Sequence, residues 1–437
     1  MAASSIPAST GSHAATSIWR NPRMLVCIFL GFSSGLPLFI LYNLLAAWLR
    51  AGGVDLKAIG LFALVGFPYT WKFVWSPLMD RYKPLGASYG RRRSWMLITQ
   101  IVLFFAVAAL GGFDPASDLT AIFFLSGVIA FASASQDIAI DAYRREILSD
   151  AEQGAGTAIF VNAYKLSTLV PGSLALILSD HLPWAAVFGI TALFVLPGIV
   201  TTWIVNEPPS YGAPPKNVRE AVVLPLREFI TRKGWRSALV ILAFIFLYKL
   251  GDSMATALAT PFYIDLGFSR TQIGLVAKNS GLWASFAGGL LGAVWLVKTG
   301  VNRGLWIFGV LQLIAILGFA LLARWTTAHG LSTWMLGAVI GLEAFAVGLG
   351  TAAFTAYIAE TTDPRYTATQ FALFTSLAAV PRTFINATTG YIVEQTGWFI
   401  FFILCALLAI PGMMLLPKVA PWNPPDTTEA QRLGKDP

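Results

Sequence analysis

Two aspartates, Asp137 and Asp141, lie four residues apart at the end of the apolar stretch AIFFLSGVIAFASA. Four residues make about one turn of an α-helix, so the two carboxylates share one helix face. A charged side chain inside a bilayer is costly and usually functional, and two like charges one turn apart repel. The spacing therefore indicates a carboxylate that changes its protonation state, provided that this stretch spans a membrane.

The composition meets that condition. The chain has 437 residues, of which 56% are hydrophobic and 12% charged, and its mean hydropathy is +0.67. A soluble domain has about 25% charged residues. Runs of about 20 apolar residues predict transmembrane helices, and twelve such runs are present: 24–48, 58–79, 94–112, 120–143, 155–178, 184–205, 235–262, 271–297, 304–323, 332–358, 367–390 and 397–417.

The distribution of basic residues predicts the orientation of the chain. Of the 30 Lys and Arg residues, 21 lie in the termini and the even-to-odd connections, and only Arg50, Lys57, Arg270 and Arg324 lie in the opposite loops. By the positive-inside rule both termini are cytoplasmic. The net charge of +8 then reflects topology and attraction to anionic lipid headgroups rather than nucleic-acid binding.

The chain divides into two similar halves. Residues 206–234 carry five prolines and many charges between the sixth and seventh spans. A shift of 214 residues aligns Gly53 and Gly60 with Gly267 and Gly274, and it also aligns the Ala-Tyr pair at 142 with the one at 356. We therefore predict an all-α membrane protein with the major facilitator fold, twelve transmembrane helices in two pseudo-symmetric six-helix bundles. The predicted units are a cytoplasmic tail 1–23, bundles 24–205 and 235–417, the cytoplasmic linker 206–234 and a second tail 418–437.

Apart from Arg236 at the start of the seventh span, nine charged side chains lie inside the predicted spans. They fall on helices 2, 4, 5, 7, 8, 10 and 11 and avoid helices 3, 6, 9 and 12, which lie outermost in a major facilitator bundle. Because a charge facing hydrocarbon is costly, this distribution predicts a shared aqueous cavity between the halves. The nine residues are Lys72, Asp137, Asp141, Lys165, Lys249, Asp252, Lys278, Glu343 and Arg382.

Proton coupling would have to use an acidic group, because all three histidines lie outside the spans. Asp137 ranks first, since it lies deeper than Asp141, whose neighbour Arg144 marks the cytoplasmic surface. Lys249 and Asp252 are three residues apart, so they form an internal ion pair or contact a ligand. The proton-coupling candidates are Asp137, Asp141, Asp252 and Glu343.

The connection between spans 2 and 3, SPLMDRYKPLGASYGRRRSW, resembles the G-x-L-x-D-R-x-G-R-R signature of the major facilitator superfamily. Ser76 replaces the first glycine and the loop is longer than usual. The resemblance implies a gate that clamps the cytoplasmic ends of the halves together in the outward-open state. Ordinary positive-inside charges explain the arginines alone equally well. The gate candidates are Asp80, Arg81, Arg91, Arg92, Asp141 and Arg144.

Longer motifs are similar to those of one family. LVGFPYTWKFVWSPLMDRY, FASASQDIAIDAYRREIL, YKLGDSMATALATPF and ATQFALFTSLAAVPR resemble the AmpG muropeptide permeases of Gram-negative bacteria, over nearly all of 24–417. The resemblance implies a protein of the bacterial inner membrane. It implies import of N-acetylglucosaminyl-1,6-anhydro-N-acetylmuramic acid, with or without its peptide, driven by the proton gradient. It also implies a role in cell-wall recycling and in the induction of beta-lactamase.

An acidic glycopeptide requires cations, amide side chains and aromatic faces. Each aromatic residue taken alone is better explained by packing or by interfacial anchoring, so only the set counts. The substrate-binding candidates on cavity helices are Tyr42, Tyr69, Trp71, Lys72, Gln136, Asn162, Tyr164, Lys165, Tyr248, Lys249, Lys278, Asn279, Trp283, Arg382 and Asn386.

Two alternatives stay open: a carrier of the same superfamily for a siderophore or an acyl-CoA, and a receptor that binds muropeptide without transporting it. The linker and tails contain no recognisable output domain, which argues against the receptor. We expect no enzyme, cofactor or metal site, because no nucleophile with a base, ligand cluster or phosphate loop is evident. The expected partners are a small glycopeptide and membrane lipid, and the expected state is a monomer.

Overall fold

The computed structural model describes residues 21–86, 88–149, 152–208, 224–362 and 367–423. Within these ranges the regular structure is helical, with short 3-10 and π turns and without strands. Helices satisfy their backbone hydrogen bonds internally, which is what a bilayer demands of a spanning segment. The predicted all-α class is confirmed.

Twelve helical segments follow one another along the described part of the chain, and we number them α1 to α12. They are α1 Pro22–Ala51, α2 56–81, α3 Arg91–Leu110, α4 Leu119–Ile147, α5 153–179, α6 Trp184–Ile204, α7 Trp235–Asp265, α8 270–299, α9 301–329, α10 Thr333–Thr361, α11 367–396 and α12 398–419. These bounds differ from the predicted spans by only a few residues at each end.

Length and composition make nine helices of the described chain able to cross a membrane. Two of the nine each contain two segments, since Gly300 (φ 77°) separates α8 from α9 and Gly397 (φ 76°) separates α11 from α12. Only glycine adopts such positive φ values without strain. The apolar part of α2, Leu56–Trp71, is shorter, and a 3-10 turn at Phe62–Gly66 interrupts it.

The backbone repeats with the offset that the sequence predicts. Gly53 and Gly267, 214 residues apart, have φ values of 80° and 97° in the connections α1–α2 and α7–α8. Two residues later, Asp55 and Ser269 each accept a hydrogen bond from the backbone N–H three residues further on, and so cap α2 and α8. Chemically different residues thus perform the same capping at equivalent positions. The two pseudo-symmetric bundles are confirmed.

The two halves share a core at one end only. One buried apolar cluster contains residues of both halves, such as Trp48 of α1 and Phe262 of α7. It lies toward the connections α1–α2, α5–α6, α7–α8 and α11–α12, and we call this end of the molecule the joined end. At the opposite end each half has a core of its own, around Met96 in the first and Phe308 in the second. We call that end the split end.

The linker and tails are described only in part. The helix Leu224–Lys233, which we call the linker helix, packs Phe229 against Phe374 of α11 with ring centroids 4.9 Å apart. Residues 1–20, 209–223 and 424–437 lie outside the described residues. The boundaries predicted for the tails, the linker and the two bundles therefore stay predictions.

Candidate functional site

An ion pair connects α1 to α7 at the joined end. Arg50 Nε lies 2.5 Å from one carboxylate oxygen of Asp265, and the indole N–H of Trp398 donates to the other oxygen at 3.1 Å. Arg50 also donates to the backbone carbonyl of Val54 at 3.2 Å. This contact joins the two halves of the chain. Arg50, which the sequence alone identifies only as a loop charge, therefore has a structural partner in the other half.

Two further carboxylates cross between the halves, and they are related by the 214-residue offset. Glu394, at the end of α11, accepts from the backbone N–H of Lys57 at 3.1 Å and lies 3.2 Å from its Nζ. Asp180, at the end of α5, accepts from the backbone N–H and the hydroxyl of Thr271, both at 2.7 Å, and lies 2.6 Å from Arg270 Nε. The offset maps Lys57 onto Thr271 and Asp180 onto Glu394. We call these two contacts the crossed caps.

The crossed caps place negative charge at the beginnings of α2 and α8. The first backbone N–H groups of a helix lack partners within the helix and carry a partial positive charge, so a carboxylate there is stabilising. Burial alone would raise the pKa of Asp180, but the hydrogen bonds from Thr271 and Arg270 outweigh it and lower that pKa below its ordinary value. Asp180 is therefore held as an anion while the joined end is closed.

A second layer of contacts joins the halves nearer the middle of the helices. The hydroxyls of Thr70 in α2 and Thr383 in α11 are buried and lie 3.1 Å apart. Lys278 of α8 donates to Asn43 of α1 and to Thr260 of α7, both at 2.9 Å. The Lys278 ammonium is thus bound by neutral oxygens, one of which belongs to the other half.

The neighbouring Asn279 is also engaged between the halves. Its amide donates to Ser173 of α5 at 3.3 Å and to the carbonyls of Gly274 and Leu275 at 3.1 Å. The structure therefore places Lys278 and Asn279, two predicted substrate contacts, in the interface that closes the joined end. Both side chains are half-buried there.

A small cavity remains between α1, α2, α7 and α11 within this interface. Its volume is about 50 Å³, which is room for a few water molecules. Asn386 lies on its wall and donates to the backbone carbonyl of Ser253 at 3.1 Å. The lining residues are Leu41, Tyr42, Leu45, Ala46, Leu49, Ile59, Gly60, Phe62, Ala63, Val65, Gly66, Ala257, Leu258, Asn386 and Thr389.

Two cations lie at the boundary between the halves and face aromatic rings rather than acids. Lys165 Nζ of α5 is 5.2 Å from the ring centroid of Phe286 in α8. The guanidinium of Arg382 in α11 is 5.4 Å from the ring of Tyr42 in α1. Within the described residues neither cation has a carboxylate partner in an ion pair. Each is therefore available to an anionic ligand that enters between the halves.

Exposed aromatic and amide groups lie on the same helices. Trp71 of α2 is 41% exposed and stacks on Phe67 with ring centroids 5.5 Å apart. Trp283 is 59% exposed, and its ring centroid lies 6.0 Å from that of Phe286. The ammonium of Lys165 lies over the Phe286 ring. Asn162 is exposed and lies three residues before Lys165, hence on the same face of α5. Phe286 thus contacts both the Trp283 ring and the Lys165 ammonium.

Three of the predicted tyrosines pack into helix interfaces instead. The Tyr248 hydroxyl donates to the carbonyl of Leu305 at 2.9 Å, and only 6% of the residue is exposed. Tyr164 contacts Phe39 of α1 edge-on at 5.6 Å. Tyr69 packs against the shared core. In this conformation these rings hold helices together, and stacking on a sugar would require them to move.

The first half contains one buried acidic site, which we call the N-terminal acid site. Ser34 of α1 donates its hydroxyl to Asp137 of α4 at 2.5 Å, and Lys72 of α2 acts electrostatically on the same carboxylate. The next residue, Gln136, is fully buried and donates to the carbonyl of Ser33 at 2.8 Å. The Asp137 carboxyl group thus receives one hydrogen bond from a hydroxyl, and within the described residues it forms no ion pair with Lys72.

The second half contains a larger one, which we call the C-terminal acid site. Lys249 Nζ of α7 lies 3.5 Å from Asp252, 3.0 Å from Gln312 Oε1 of α9 and 3.3 Å from the hydroxyl of Thr351 in α10. The carboxyl group of Glu343 in α10 is buried and within hydrogen-bonding contact of Asp252. Two acids and one base therefore meet at the junction of α7, α9 and α10.

The split end carries the arginines of the proposed gate. Arg92 lies 2.8 Å and Arg91 3.7 Å from a carboxylate oxygen of Glu146 in α4. Arg144 lies 3.4 Å from Asp141, one turn earlier on the same helix, and the Asp141 side chain is half exposed. These ion pairs all lie within the first half. A clamp between the halves stays a prediction for the state in which the split end closes.

The remaining gate residues lie around the beginning of α3. Glu207 accepts from the backbone N–H groups of Arg91, Arg92 and Arg93 at 2.7, 2.8 and 3.0 Å, and so caps α3. Arg81 is exposed at the end of α2, 5.9 Å from the ring of Tyr82. The side chain of Asp80 lies outside the described residues.

Sequence reasoning missed the acids that join the halves. Asp180, Asp265 and Glu394 fall in short loops, where charged residues need no explanation. A signal was nevertheless present. The offset that aligns glycines also aligns Asp180 with Glu394, and two acids at equivalent loop positions are the residues that cap the opposite helices.

Comparison with known proteins agrees with this architecture. The sequence model of the Major Facilitator Superfamily matches residues 28–330. An anhydromuropeptide permease of Escherichia coli K12 is 42% identical over 91% of this chain and 80% of its own length. The chain belongs to the AmpG-type permeases of the major facilitator superfamily. It is thus a multi-pass membrane protein of a transporter family.

Two further relatives have lower and higher identity to this chain. A Rickettsia felis protein named putative transporter AmpG 4 is 32% identical over 92% of this chain and 97% of its own. An uncharacterised protein of Haemophilus influenzae is 46% identical over 91% of this chain and 95% of its own.

Solved structures show the same fold at low identity. The nucleoside transporter NupG, as a D323A mutant, superposes with a TM-score of 0.70 at 13% identity, over 91% of this chain and 99% of NupG. A D-xylose–proton symporter superposes with a TM-score of 0.66 at 13% identity, over 91% and 97% of the two chains. At such identities the likeness establishes the fold of this AmpG-type chain and not its substrate.

Proposed function

We propose that the chain imports anhydro-muropeptides, namely N-acetylglucosaminyl-1,6-anhydro-N-acetylmuramic acid with or without its stem peptide. The observation that carries this proposal is the 42% identity, over 91% of the chain, to an anhydromuropeptide permease. At that identity, extending through both halves, the residues between the halves are expected to be largely shared. The product would enter cell-wall recycling.

The chemistry between the halves suits an acidic glycopeptide. Lys165 and Arg382 offer positive charge without a carboxylate partner among the described residues, and Trp71 and Trp283 offer exposed rings. Carboxylates of a stem peptide match such cations, and the apolar faces of sugar rings match aromatic side chains. Asn162 adds an amide that can bond to a hydroxyl or an acetamido group.

Alternating access follows from the two ends of the molecule. The crossed caps and the shared core close the joined end, whereas each half keeps a separate core at the split end. By the positive-inside rule the split end and both termini face the cytoplasm, and the joined end faces the periplasm. The structure then corresponds to the state that releases substrate inward.

The proposed energy source is the proton gradient, with no cofactor. Each half holds a buried acidic site close to the interface, and buried acids in transporters commonly relay protons. Because both halves of the site belong to a single chain, a monomer suffices for transport. The membrane is the bacterial inner membrane.

Uptake measurements test the substrate. Inner-membrane vesicles containing the protein are expected to accumulate labelled anhydro-disaccharide when energised, and vesicles without it are not. Labelled siderophore and acyl-CoA serve as competing cargoes. Failure to take up the disaccharide together with strong uptake of either competitor would replace the proposed substrate.

Counterflow distinguishes a carrier from a receptor. Proteoliposomes loaded with unlabelled disaccharide are expected to take up labelled disaccharide transiently, because a carrier exchanges substrate across the membrane. A receptor would bind the label without exchange. Fusion of a reporter to each terminus tests the orientation, with cytoplasmic activity expected at both.

A further inference from the structure

Helix α7 is interrupted where the C-terminal acid site lies. Lys249 has φ −99° and ψ 0°, which ends the helix Trp235–Tyr248 and precedes the helix Leu250–Ala257. Asp252 is in the first turn of that second piece. In secondary transporters, interrupted helices near the midplane commonly hold the substrate or the coupling ion. The break thus places Lys249 and Asp252 at an interruption of a spanning helix, as Trp71 (φ −108°, ψ 8°) does for Lys72 in α2.

The charges at this site do not balance unless one acid is protonated. Lys249 supplies one positive charge, and Asp252 and Glu343 supply two carboxyl groups. Two carboxylates that are both ionised repel and have no hydrogen to share. One proton shared between the two carboxyl groups removes this repulsion, and with that proton the cluster is neutral.

We propose that Glu343 carries the coupling proton. The protonated Glu343 carboxyl group donates a hydrogen bond to the Asp252 carboxylate, and Lys249 balances the charge of that carboxylate. This inference rests on the proposed proton-driven import and names the residue through which the gradient acts. One proton binds the Glu343 carboxylate and is later released as H⁺ on the other side of the membrane. No other bond is made or broken.

The surroundings assign the proton to Glu343 rather than to Asp252. Asp252 lies in the first turn of Leu250–Ala257, where the helix dipole favours a negative charge, and Lys249 is 3.5 Å away. Glu343 is in the middle of α10 and only 7% exposed, so its ionised form lacks both advantages. The proton is therefore more stable on Glu343.

The other groups around Glu343 do not compensate its charge. Within the described residues, the charged groups acting on it are Asp252 and Lys249, and Tyr263 of α7 faces it as a titratable group. From α9 the nearby polar side chain is Gln312, which is neutral and already bonded to Lys249. From α8, Gly281 packs on the neighbouring turn of α10 through apolar contacts.

The site is connected to the interface between the halves through α11. Ser253, next to Asp252, accepts from the Asn386 amide at 3.1 Å. Asn386 lies one turn after Arg382 and directly follows the π turn Pro381–Ile385, which contains Arg382. π turns are frequent at functional sites. A change in the charge of Asp252 or Glu343 can therefore act on the cation proposed to bind substrate.

Infrared difference spectroscopy tests the proton directly and without substrate. In the full-length protein at neutral pH we expect the C=O stretch of a protonated carboxylic acid, and in Glu343→Gln we expect this band to be lost. Asp137→Asn is the matched control and is expected to keep it. A band that survives in Glu343→Gln but disappears in Asp137→Asn would overturn the assignment.

A second variant protects the test against misfolding of the first. In Asp252→Asn, Glu343 becomes the only acid beside Lys249, so it should ionise and the band should disappear as well. If the band persists in Asp252→Asn, Lys249 does not control the proton and the proposal fails. These readouts need no transport, so they stand even if the proposed substrate is wrong.

Transport then links the proton to import. With labelled anhydro-disaccharide, proteoliposomes of Glu343→Gln are expected to retain counterflow and to lose accumulation driven by a pH gradient, together with substrate-dependent proton uptake. Wild-type accumulation in this variant would exclude Glu343 as the coupling residue. Absence of counterflow in the wild-type protein would instead contradict the proposed function and leave the spectroscopic result intact.

Discussion

The two buried acidic sites solve the same electrostatic problem in different ways. At the N-terminal acid site a single carboxylate, Asp137, accepts from the Ser34 hydroxyl and faces Lys72. At the C-terminal acid site two carboxyl groups face each other beside one lysine. The first site holds one acid with a single hydroxyl donor, whereas the second holds two acids and one base within 3.5 Å of one of them.

The two sites also occupy equivalent positions in the duplicated fold. The 214-residue offset maps Asp137 of α4 onto Thr351 of α10, and it maps Ser34 of α1 onto Tyr248 of α7. In the second half Thr351 contacts Lys249, the residue after Tyr248. The helix pairs α1–α4 and α7–α10 thus meet at the same level in both halves. The duplication has preserved where the helices touch while the side chains there have diverged.

The largest effect is expected from removing the lysine of the C-terminal acid site. Lys249→Ala leaves Asp252 and Glu343 without a countercharge, and an uncompensated buried charge costs about 3–5 kcal/mol. Thermal unfolding of the purified protein at pH 8 should show this loss. At pH 5 the loss should be smaller, because protonation then neutralises the second acid as well.

Lys72→Ala is the matched control for that change. Asp137 keeps the hydrogen bond from Ser34, so we expect a smaller destabilisation with less dependence on pH. Equal losses in the two variants at both pH values would remove the distinction between the two sites.

A smaller effect is expected from Asp137→Asn. The substitution weakens the hydrogen bond from Ser34, and a hydrogen bond to a charged group contributes about 1.5–3 kcal/mol. We therefore expect disaccharide exchange to fall by about tenfold. The ratio of accumulation driven by the pH gradient to disaccharide exchange should be the same as in the wild-type protein. If exchange is normal and gradient-driven accumulation is lost, the coupling proton belongs to α4 and the comparison is reversed.

The crossed caps extend the comparison to the joined end. Asp180 is held by contacts of 2.6–2.7 Å and Glu394 by contacts of 3.1–3.2 Å. We therefore expect Asp180→Asn to open the joined end more often than Glu394→Gln. A cysteine at Ala63, on the wall of the small cavity, should react faster with an impermeant periplasmic thiol reagent in the first variant.

The native cysteines provide a low background for that measurement, since Cys27 and Cys405 are both buried. Combining the two substitutions should increase the labelling rate further. The same labelling rate in wild type and in both single variants would show that the crossed caps do not hold the joined end closed.

The smallest effect concerns pH at the joined end. The pKa of Asp180 is lowered below its ordinary value of 3.8 by its partners in the closed state. Its stabilisation of closure is thus complete above that value and is lost as the pH falls through the lowered pKa. Labelling of the Ala63→Cys variant, by a reagent whose reactivity does not vary with pH, should stay constant between pH 7 and pH 5, because both values lie above the lowered pKa of Asp180. A rise in labelling between pH 7 and pH 5 would show that Asp180 titrates between those values.

Much of the fold was predictable because each span is determined locally. Hydropathy located all twelve helices to within a few residues, and the repeat at Gly53 and Gly267 predicted the duplication. Polar interruptions were not predictable in the same way. The break at Lys249 lies inside the predicted seventh span, and Lys249 contacts α9 and α10 there.

The candidate site was predictable as a set of residue types. Lys165 and Arg382 each face a ring of the other half, whereas Gln136 and Tyr248 are occupied by neighbouring helices. Hydropathy identifies a charged or aromatic residue in a span. It does not reveal which direction the side chain points, because every position of a membrane helix has a similar apolar background.

The sequence by itself determined the number of spans, the two halves and the identity of the buried charges, because each of these depends on composition along one stretch of chain. It ranked Asp137 first since depth along a helix can be counted from residue numbers. Only the tertiary structure decided that Asp252 and Glu343 meet and that Asp180 caps α8. The physical reason is that electrostatic interaction depends on distances between atoms of different helices, and those distances are set by packing.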